Sequence, residues 1–314
     1  MKRHTDHATL STADKCACVA IGNFDGVHLG HRSVLDLTRD AAEAAEAPLG
    51  VTTFEPHPRA FFQPDAPPFR LMNADTRAHR LEKLGVDHLY ELPFTAELSG
   101  LTDQQFVDQV LVWGLGVRHI VVGEDFRYGK GRSGDIDTLR AAGETAGFGV
   151  TAAPLVSDAK GEFSSTAIRQ ALTDGTPDEA ARMLGHWHRI DGRVQKGDQR
   201  GRDLGYPTAN LSMEGLHLPK FGVYAVLVDV LDGPHGGRYR GAASLGVRPT
   251  FGVNAPNLES FLFDFSGDIY GAAISVALVA YLRPEEQYDT VEALITQMDK
   301  DCDAARAALS QVEG

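Results

Sequence analysis

The chain reads as two folds in series: a doubly wound parallel α/β domain, then an antiparallel β-barrel with a closing helix. Three observations predict this. Up to about Leu184, short apolar runs alternate with longer amphipathic stretches, the pattern of βαβ units and a parallel sheet. Beyond Gly185 the runs lengthen, alternate with period two and are broken by glycine without intervening helices. The stretch 290–309 then sets Val291, Leu294, Ile295, Met298 and Cys302 at helical spacing, as for a helix packed on that barrel. A length of 314 residues suits about two domains. The change of texture puts their boundary near Gly185, giving 1–184 and 185–314.

In the first half, strands are predicted over 18–22, 50–54, 88–92, 119–123 and 150–155. Helices are predicted over 31–47, 75–84, 103–113 and 136–146. Parallel sheets of this kind bind ligands at the carboxyl ends of their strands. In the second half the strand signals are RIDGRVQ, GVYAVLVDV, RYRGAASLG, LESFLFDF and AAISVALVAYL. The first fifteen or so residues give no usable pattern.

Composition narrows the function. A hydrophobic content of 43% with 23% charged residues is that of a folded globular chain. The formal net charge of −13 sets up a field that repels polyanions, so nucleic acid is not an expected partner. Small anionic substrates remain compatible, because basic residues gather locally at 126–132 (FRYGKGR) and 195–202 (QKGDQRGR). The N-terminal segment lacks a secretory apolar run and no stretch is long enough to span a bilayer, so no membrane partner and a cytoplasmic location are expected. Three cysteines, Cys16, Cys18 and Cys302, form no metal-ligand pattern and read as reduced structural residues. Nothing in the sequence signals an oligomeric state.

The first chemical segment is GNFDGVHLGHRSVL, 22–35, a glycine-bearing turn between the first strand and a helix. Unpaired N–H groups at a helix start attract phosphate, and Gly26 and Gly30 allow the backbone to come close. His28 and His31 at that turn can donate hydrogen bonds as charge develops on an α-phosphate. This resembles the HxGH signature of the nucleotidylyltransferases. A second segment, FSSTAIRQAL, 163–172, leads a helix with Ser164, Ser165 and Thr166 and follows with Arg169, a triphosphate clamp unless the hydroxyls merely cap the helix. TFEPHP, 53–58, and VVGEDFRYGKGRSGD, 121–135, each follow a predicted strand and so reach the same end of the sheet.

The second chemical segment is GRVQKGDQRGRDLGYPTANL, 192–211. Gly197 and Gly201, with Arg202 and its basic neighbours, suit a loop folded over polyphosphate. Thr208 and Asn210 alternate along an extended segment, so both can face one way as hard oxygen ligands for Mg²⁺. The run resembles the GRxLG[FY]PTAN pattern of riboflavin kinases, with Tyr206 where phenylalanine is common.

Taken in order from about Val19 to Arg306, these segments resemble the bifunctional prokaryotic riboflavin kinase/FAD synthetases. The resemblance implies ATP, riboflavin and FMN as substrates and Mg²⁺ as cofactor. It assigns Gly22, Phe24 and Gly26 to nucleotide binding in the first domain. It implies that His57 and Asp125 contact the flavin, with Phe62 and Tyr128 as stacking candidates, although core packing explains an aromatic equally well. It puts the kinase's proton acceptor at Glu259, a carboxylate on a strongly apolar strand; Asp264 and Asp268 read instead as strand-end and turn residues. HWH, 186–188, departs from the family's junction. Two rival readings stand beside this one: a nucleotidylyltransferase for another phosphate acceptor with a non-catalytic barrel, and a flavin-binding protein without turnover.

Overall fold

Strands buried on both faces need helical returns, and the first sheet is built that way. The structure, a computed structural model, describes residues 1–196, 206–250 and 253–312, with backbone alone at 248–250 and 253–255. Contacts divide the chain into two compact units, 1–66 with 74–163 and 67–73 with 164–314.

The first unit holds β1 (Lys2–His4), β2 (Cys18–Ile21), β3 (Leu49–Glu55), β4 (His88–Pro93), β5 (His119–Gly123) and β6 (Gly149–Ala153). Their order is β1-β4-β3-β2-β5-β6, and every pairing is parallel. From β2 the chain winds outward through β3 to β4, then returns to lay β5 on the other side of β2. That reversal is a topological switch point, where the loops after β2 and β5 part and leave a crevice. The returns are α1 (Leu29–Ala44), α2 (Pro58–Phe62), α3 (Ala74–Lys83), α4 (Ala96–Gly100), α5 (Asp103–Gln105) and α6 (Ile136–Ala146).

Two elements differ from expectation. The helix predicted over 103–113 is one α turn followed by a π-helix, Phe106–Leu115, that buries Phe106, Val107, Val110, Leu111 and Leu115. Over ten residues, apolar spacing does not separate the wider turn from an α-helix. β1 lies in the segment that gave no pattern; three residues are too few for alternation to register.

A hairpin, β7 (Ser157–Asp158) with β8 (Gly161–Glu162), closes the first unit. α7 (Ser165–Asp174) and α8 (Pro177–Leu184) belong to the second. There Lys220 N–H donates to Leu172 O at 2.9 Å, tying α7 to the chain beyond the junction.

The second sheet contains β9 (His188–Arg193), β10 (Thr208–Ser212), β11 (Gly222–Val230), β12 (Gly237–Thr250), β13 (Val253–Leu262) and β14 (Ala273–Arg283). It is antiparallel in the order β10-β13-β12-β11-β14-β9, and its edges meet again where Gln195 N–H donates to Asn210 O at 2.9 Å. Alternation along β11 shows why it folds so: Tyr224, Val226 and Val228 enter one core, while Ala225 and Leu227 face the other. The C-terminal helix, Val291–Leu309, covers that other face with Cys302, Ala305 and Leu309.

Candidate active sites

At the carboxyl end of β2 the backbone takes an unusual path. Phe24, Gly26 and Val27 all have left-handed φ, 51°, 89° and 45°. Two are not glycine, a costly conformation that clusters at functional turns. The turn delivers His28 as the N-cap of α1, where its Nδ1 accepts the His31 N–H at 3.3 Å. A backbone N–H can only donate, so neutral His28 carries its proton on Nε2 and presents that edge as a donor.

The His31 ring stacks on His28 with centroids 3.7 Å apart, and Phe24 lies behind it at 4.9 Å. Burial, and next the neighbouring His28, push the His31 pKa well below the ordinary histidine value. Its Nδ1 is buried with no hydrogen-bond partner among the described residues. Gly30 is small for a packing reason: a Cβ there would meet the His28 ring at 3.0 Å and the Phe163 carbonyl at 3.1 Å. The side chain of Phe24 is fully buried and packs against His31, so any contact of Phe24 with a nucleotide would be through its backbone.

Beside this turn, a cavity of about 710 Å³ opens between the loops after β2, β3 and β5. Gly22, His57, Phe62, Asp125 and Tyr128 all line it. His57 caps α2 by accepting the Arg59 N–H on Nδ1 at 3.0 Å, which again leaves Nε2–H as donor. Phe62 is 65% exposed and available for stacking. Tyr128 is 7% exposed, with its ring parallel to Phe126 and tilted against Phe106, so packing accounts for it. Sequence reading did not single out Phe54, Phe94 and Phe106, which add aromatic surface, or Arg59, which adds a cation.

Arg77 is the supporting residue that sequence reading missed most completely. Its side chain is 0% exposed on α3 and donates to Asn23 O at 3.3 Å, Glu55 Oε2 at 2.8 Å and Glu91 Oε1 at 2.8 Å. One buried guanidinium therefore ties the turn before His28 to the end of the strand before His57. The available signal was positional, since Arg77 shares the apolar face of its helix with Ala78 and Leu81.

In the second unit, Ser164 caps α7 by accepting the Ala167 N–H at 3.2 Å. Arg169 donates to Thr166 Oγ1 at 3.3 Å and to Phe69 O at 3.4 Å, and its guanidinium lies 5.7 Å from the Phe69 ring. Capping is thus one role of these hydroxyls, and Ser165 stands beside them as the first residue of the helix.

Thr208 and Glu259 line one cavity of about 250 Å³ in the barrel. Strand register brings this about: β10 pairs with β13 so that Asn210 faces Glu259 and Thr208 faces Phe261. The Asn210 side chain is buried, and its Oδ1 accepts from Asn257 Nδ2 at 2.8 Å. Glu285 shares the cavity; burial first and the Glu259 charge second raise its pKa. Arg283 and Asp301 form a two-pronged ion pair at 2.8 and 2.7 Å against the same space. Asp264 sits in the turn after β13 and Asp268 accepts the Tyr270 N–H at 2.9 Å, as turn residues do. Gly197, Gly201 and Arg202 lie outside the described residues.

A switch-point site under a parallel sheet, followed by a hydroxyl- and carboxylate-lined barrel, defines a two-part nucleotide-handling transferase. A family model described as FAD synthetase matches residues 10–167, and one described as riboflavin kinase matches 184–309. The bifunctional riboflavin kinase/FMN adenylyltransferase of Pseudomonas fluorescens is 44% identical, covering 92% of each chain. Its counterpart in Escherichia coli strain K12 is 39% identical over 93% of each. A crystal structure described as a macrolide-efflux protein from Streptococcus pneumoniae matches with a TM-score of 0.84 at 31% identity, covering 97% of this chain and 98% of that one. The chain belongs to the bifunctional riboflavin kinase/FMN adenylyltransferase family. No described helix is long and apolar enough to cross a membrane.

Proposed function

We propose that the chain phosphorylates riboflavin with ATP in the barrel and joins the resulting FMN to the AMP portion of a second ATP, releasing pyrophosphate, through the parallel-sheet site. The observation that carries this reading is that the two units each hold a separate cavity, and in each the lining groups suit one of the two reactions.

For adenylyl transfer, the FMN phosphate attacks the α-phosphate of ATP. The start of α1 and the Nε2–H of His28, with His31 stacked behind it, stabilise the charge that develops there. Burial keeps the His31 ring neutral, so it can act only as a neutral donor. Gly22 and Gly26 bring backbone N–H groups to the nucleotide; Ser164, Ser165, Thr166 and Arg169, in the second unit, are assigned to polyphosphate by their sequence motif alone. The flavin occupies the neighbouring cavity with His57 and Asp125 on its polar edges and Phe62 on its face.

For the kinase step, Glu259 accepts the proton of the terminal ribityl hydroxyl as the γ-phosphoryl group arrives. Thr208 and Asn210 fit a Mg²⁺ ion. Asn257 donates to Oδ1, fixing that atom as oxygen with a second lone pair for a cation, and the threonine hydroxyl stands two residues away on the same face. The ion supplies charge neutralisation to the phosphates. Sequence resemblance alone assigns Gly197, Gly201 and Arg202, which lie outside the described residues, to the phosphates. We place the functional boundary near Gly185 and the protein in the cytoplasm, in keeping with three unpaired cysteines.

Incubating the protein with riboflavin, ATP and Mg²⁺ and resolving the flavins by chromatography tests the reading. FMN should appear first and FAD after it. Absence of both products, or accumulation of a different adenylylated acceptor, would falsify it.

A further inference from the structure

The N-terminal strand β1 brings a group of metal-ligating side chains together at the edge of the first sheet, away from the turn that carries His28. Lys2, Arg3 and His4 pair with His88, Leu89 and Tyr90 of β4. This sets His4 Nε2 3.0 Å from His88 Nδ1. Asp14 completes the group, with one ligand atom from each residue lying within 4.8 Å of the others. His88 is 6% exposed, and the rings of His4, His88 and Tyr90 stack at 5.2–5.8 Å, so neither imidazole is a loose surface group.

We propose that His4, His88 and Asp14 form a binding site for a divalent transition metal, zinc being the test case, that fastens the N-terminal strand to the sheet. Two imidazoles and a carboxylate are the donor set this class of cation takes, at about 2.0–2.2 Å from each atom. Two nitrogens on one such ion stand about 3.3 Å apart in tetrahedral geometry. The observed 3.0 Å therefore needs only a small opening once the proton between the rings shifts, by exchange with water, to the other nitrogen of its own ring. A fourth position stays with water. Burial lowers the pKa of both rings and so favours the neutral, ligating form.

Asp14 needs a larger change. Its Oδ1 takes Lys2 Nζ at 2.6 Å and its Oδ2 takes the Ser11 hydroxyl at 2.6 Å. Lys2 is 63% exposed and swings into water at little cost, and the metal then replaces its charge beside the carboxylate. The backbone of this segment is already held, because Tyr90 Oη donates to Asp14 O at 2.7 Å.

The test is calorimetric titration of tag-free, full-length protein with ZnCl₂, alongside His4→Gln, His88→Gln and Asp14→Asn, and thermal melts with and without the metal. The parent should bind one ion at this site and melt at a higher temperature with zinc. His4→Gln and His88→Gln should each weaken that binding by at least about tenfold and remove the thermal gain, with Asp14→Asn losing less. Cobalt(II) substitution should give visible bands without a thiolate charge-transfer band, which distinguishes the site from one built on Cys16. Zinc bound as tightly by His4→Gln as by the parent, or a thiolate band, overturns the proposal by putting the ion elsewhere. Absence of binding at tens of micromolar overturns it by leaving the His4–His88 contact as a plain hydrogen bond.

Discussion

On the proposed reading, the two cavities would handle phosphate by opposite means. In the first unit the working groups come from chain ends of secondary structure: the start of α1, a left-handed turn, and two histidines that cap helices. In the barrel they come from mid-strand side chains, Thr208, Asn210 and Glu259, set by register. The difference follows the chemistry. Adenylyl transfer between phosphates needs positioning and dipoles, whereas a hydroxyl nucleophile needs a proton acceptor and a metal-bearing pair of hard oxygens. Loops at a switch point come from separate strands, and Arg77 ties two of them; strand residues are held by the ladder itself.

Replacing His28 and His31 together with alanine attacks the first cavity alone. FAD formation should fall by about 10³-fold or more while FMN formation stays within a few-fold. Equal loss of both activities in a folded variant would break the comparison. Glu259→Gln does the reverse: the kinase kcat should drop by about 10²–10⁴ with little change in KM, and FAD synthesis from supplied FMN should survive. A raised KM with unchanged kcat would instead make Glu259 a ligand of the ribityl chain.

Arg77→Met tests whether the first site depends on its tie. It leaves Glu91, 4% exposed, beside one fewer cation and removes one of the two donors to the Asn23 carbonyl, the other being the Thr53 hydroxyl, so the first unit should lose about 3–5 kcal/mol of stability, read by denaturant melts. FMN adenylylation should weaken with it, and Arg77→Lys should recover part of both. Truncation sharpens the contrast further. A fragment beginning at Ser164 keeps the Leu172–Lys220 hydrogen bond and the His217–Arg169 contact; one beginning at Gly185 loses both. Each should make FMN but no FAD, and the longer fragment should melt several degrees higher.

The effect confined to the narrowest range of conditions concerns pH. Burial lowers the His188 pKa from 6.5 to about 3 in the folded protein, with His186 and His217 contributing less. The unfolded chain binds that proton near pH 6.5 and the folded chain does not. Stability is therefore complete above that pH and is lost as pH falls from 6.5 towards 3. His188→Phe should remove about one proton from the slope of stability against pH in that window, measured by urea melts at several pH values. An unchanged slope would show that His188 is protonated when folded.

By itself the sequence determined the order of folds, since period-two and helical apolar spacing report burial directly, residue by residue. It also placed the motif residues on their local elements, because a glycine-bearing strand-to-helix turn and a Thr-x-Asn extended segment are legible in local pattern. Only the tertiary structure decided which groups share a cavity. Thr208 and Glu259 are 51 positions apart and line one cavity through strand register, and Arg77 acts by burial between loops that no local pattern connects. Tyr128 and Phe62 show the same limit. Both are aromatic residues near a strand end, yet packing by Phe126 and Phe106 buries the first while the second is left 65% exposed. Local spacing encodes which face of an element is apolar; it does not encode which neighbour covers that face, and the covering decides whether a side chain supports the fold or meets a ligand.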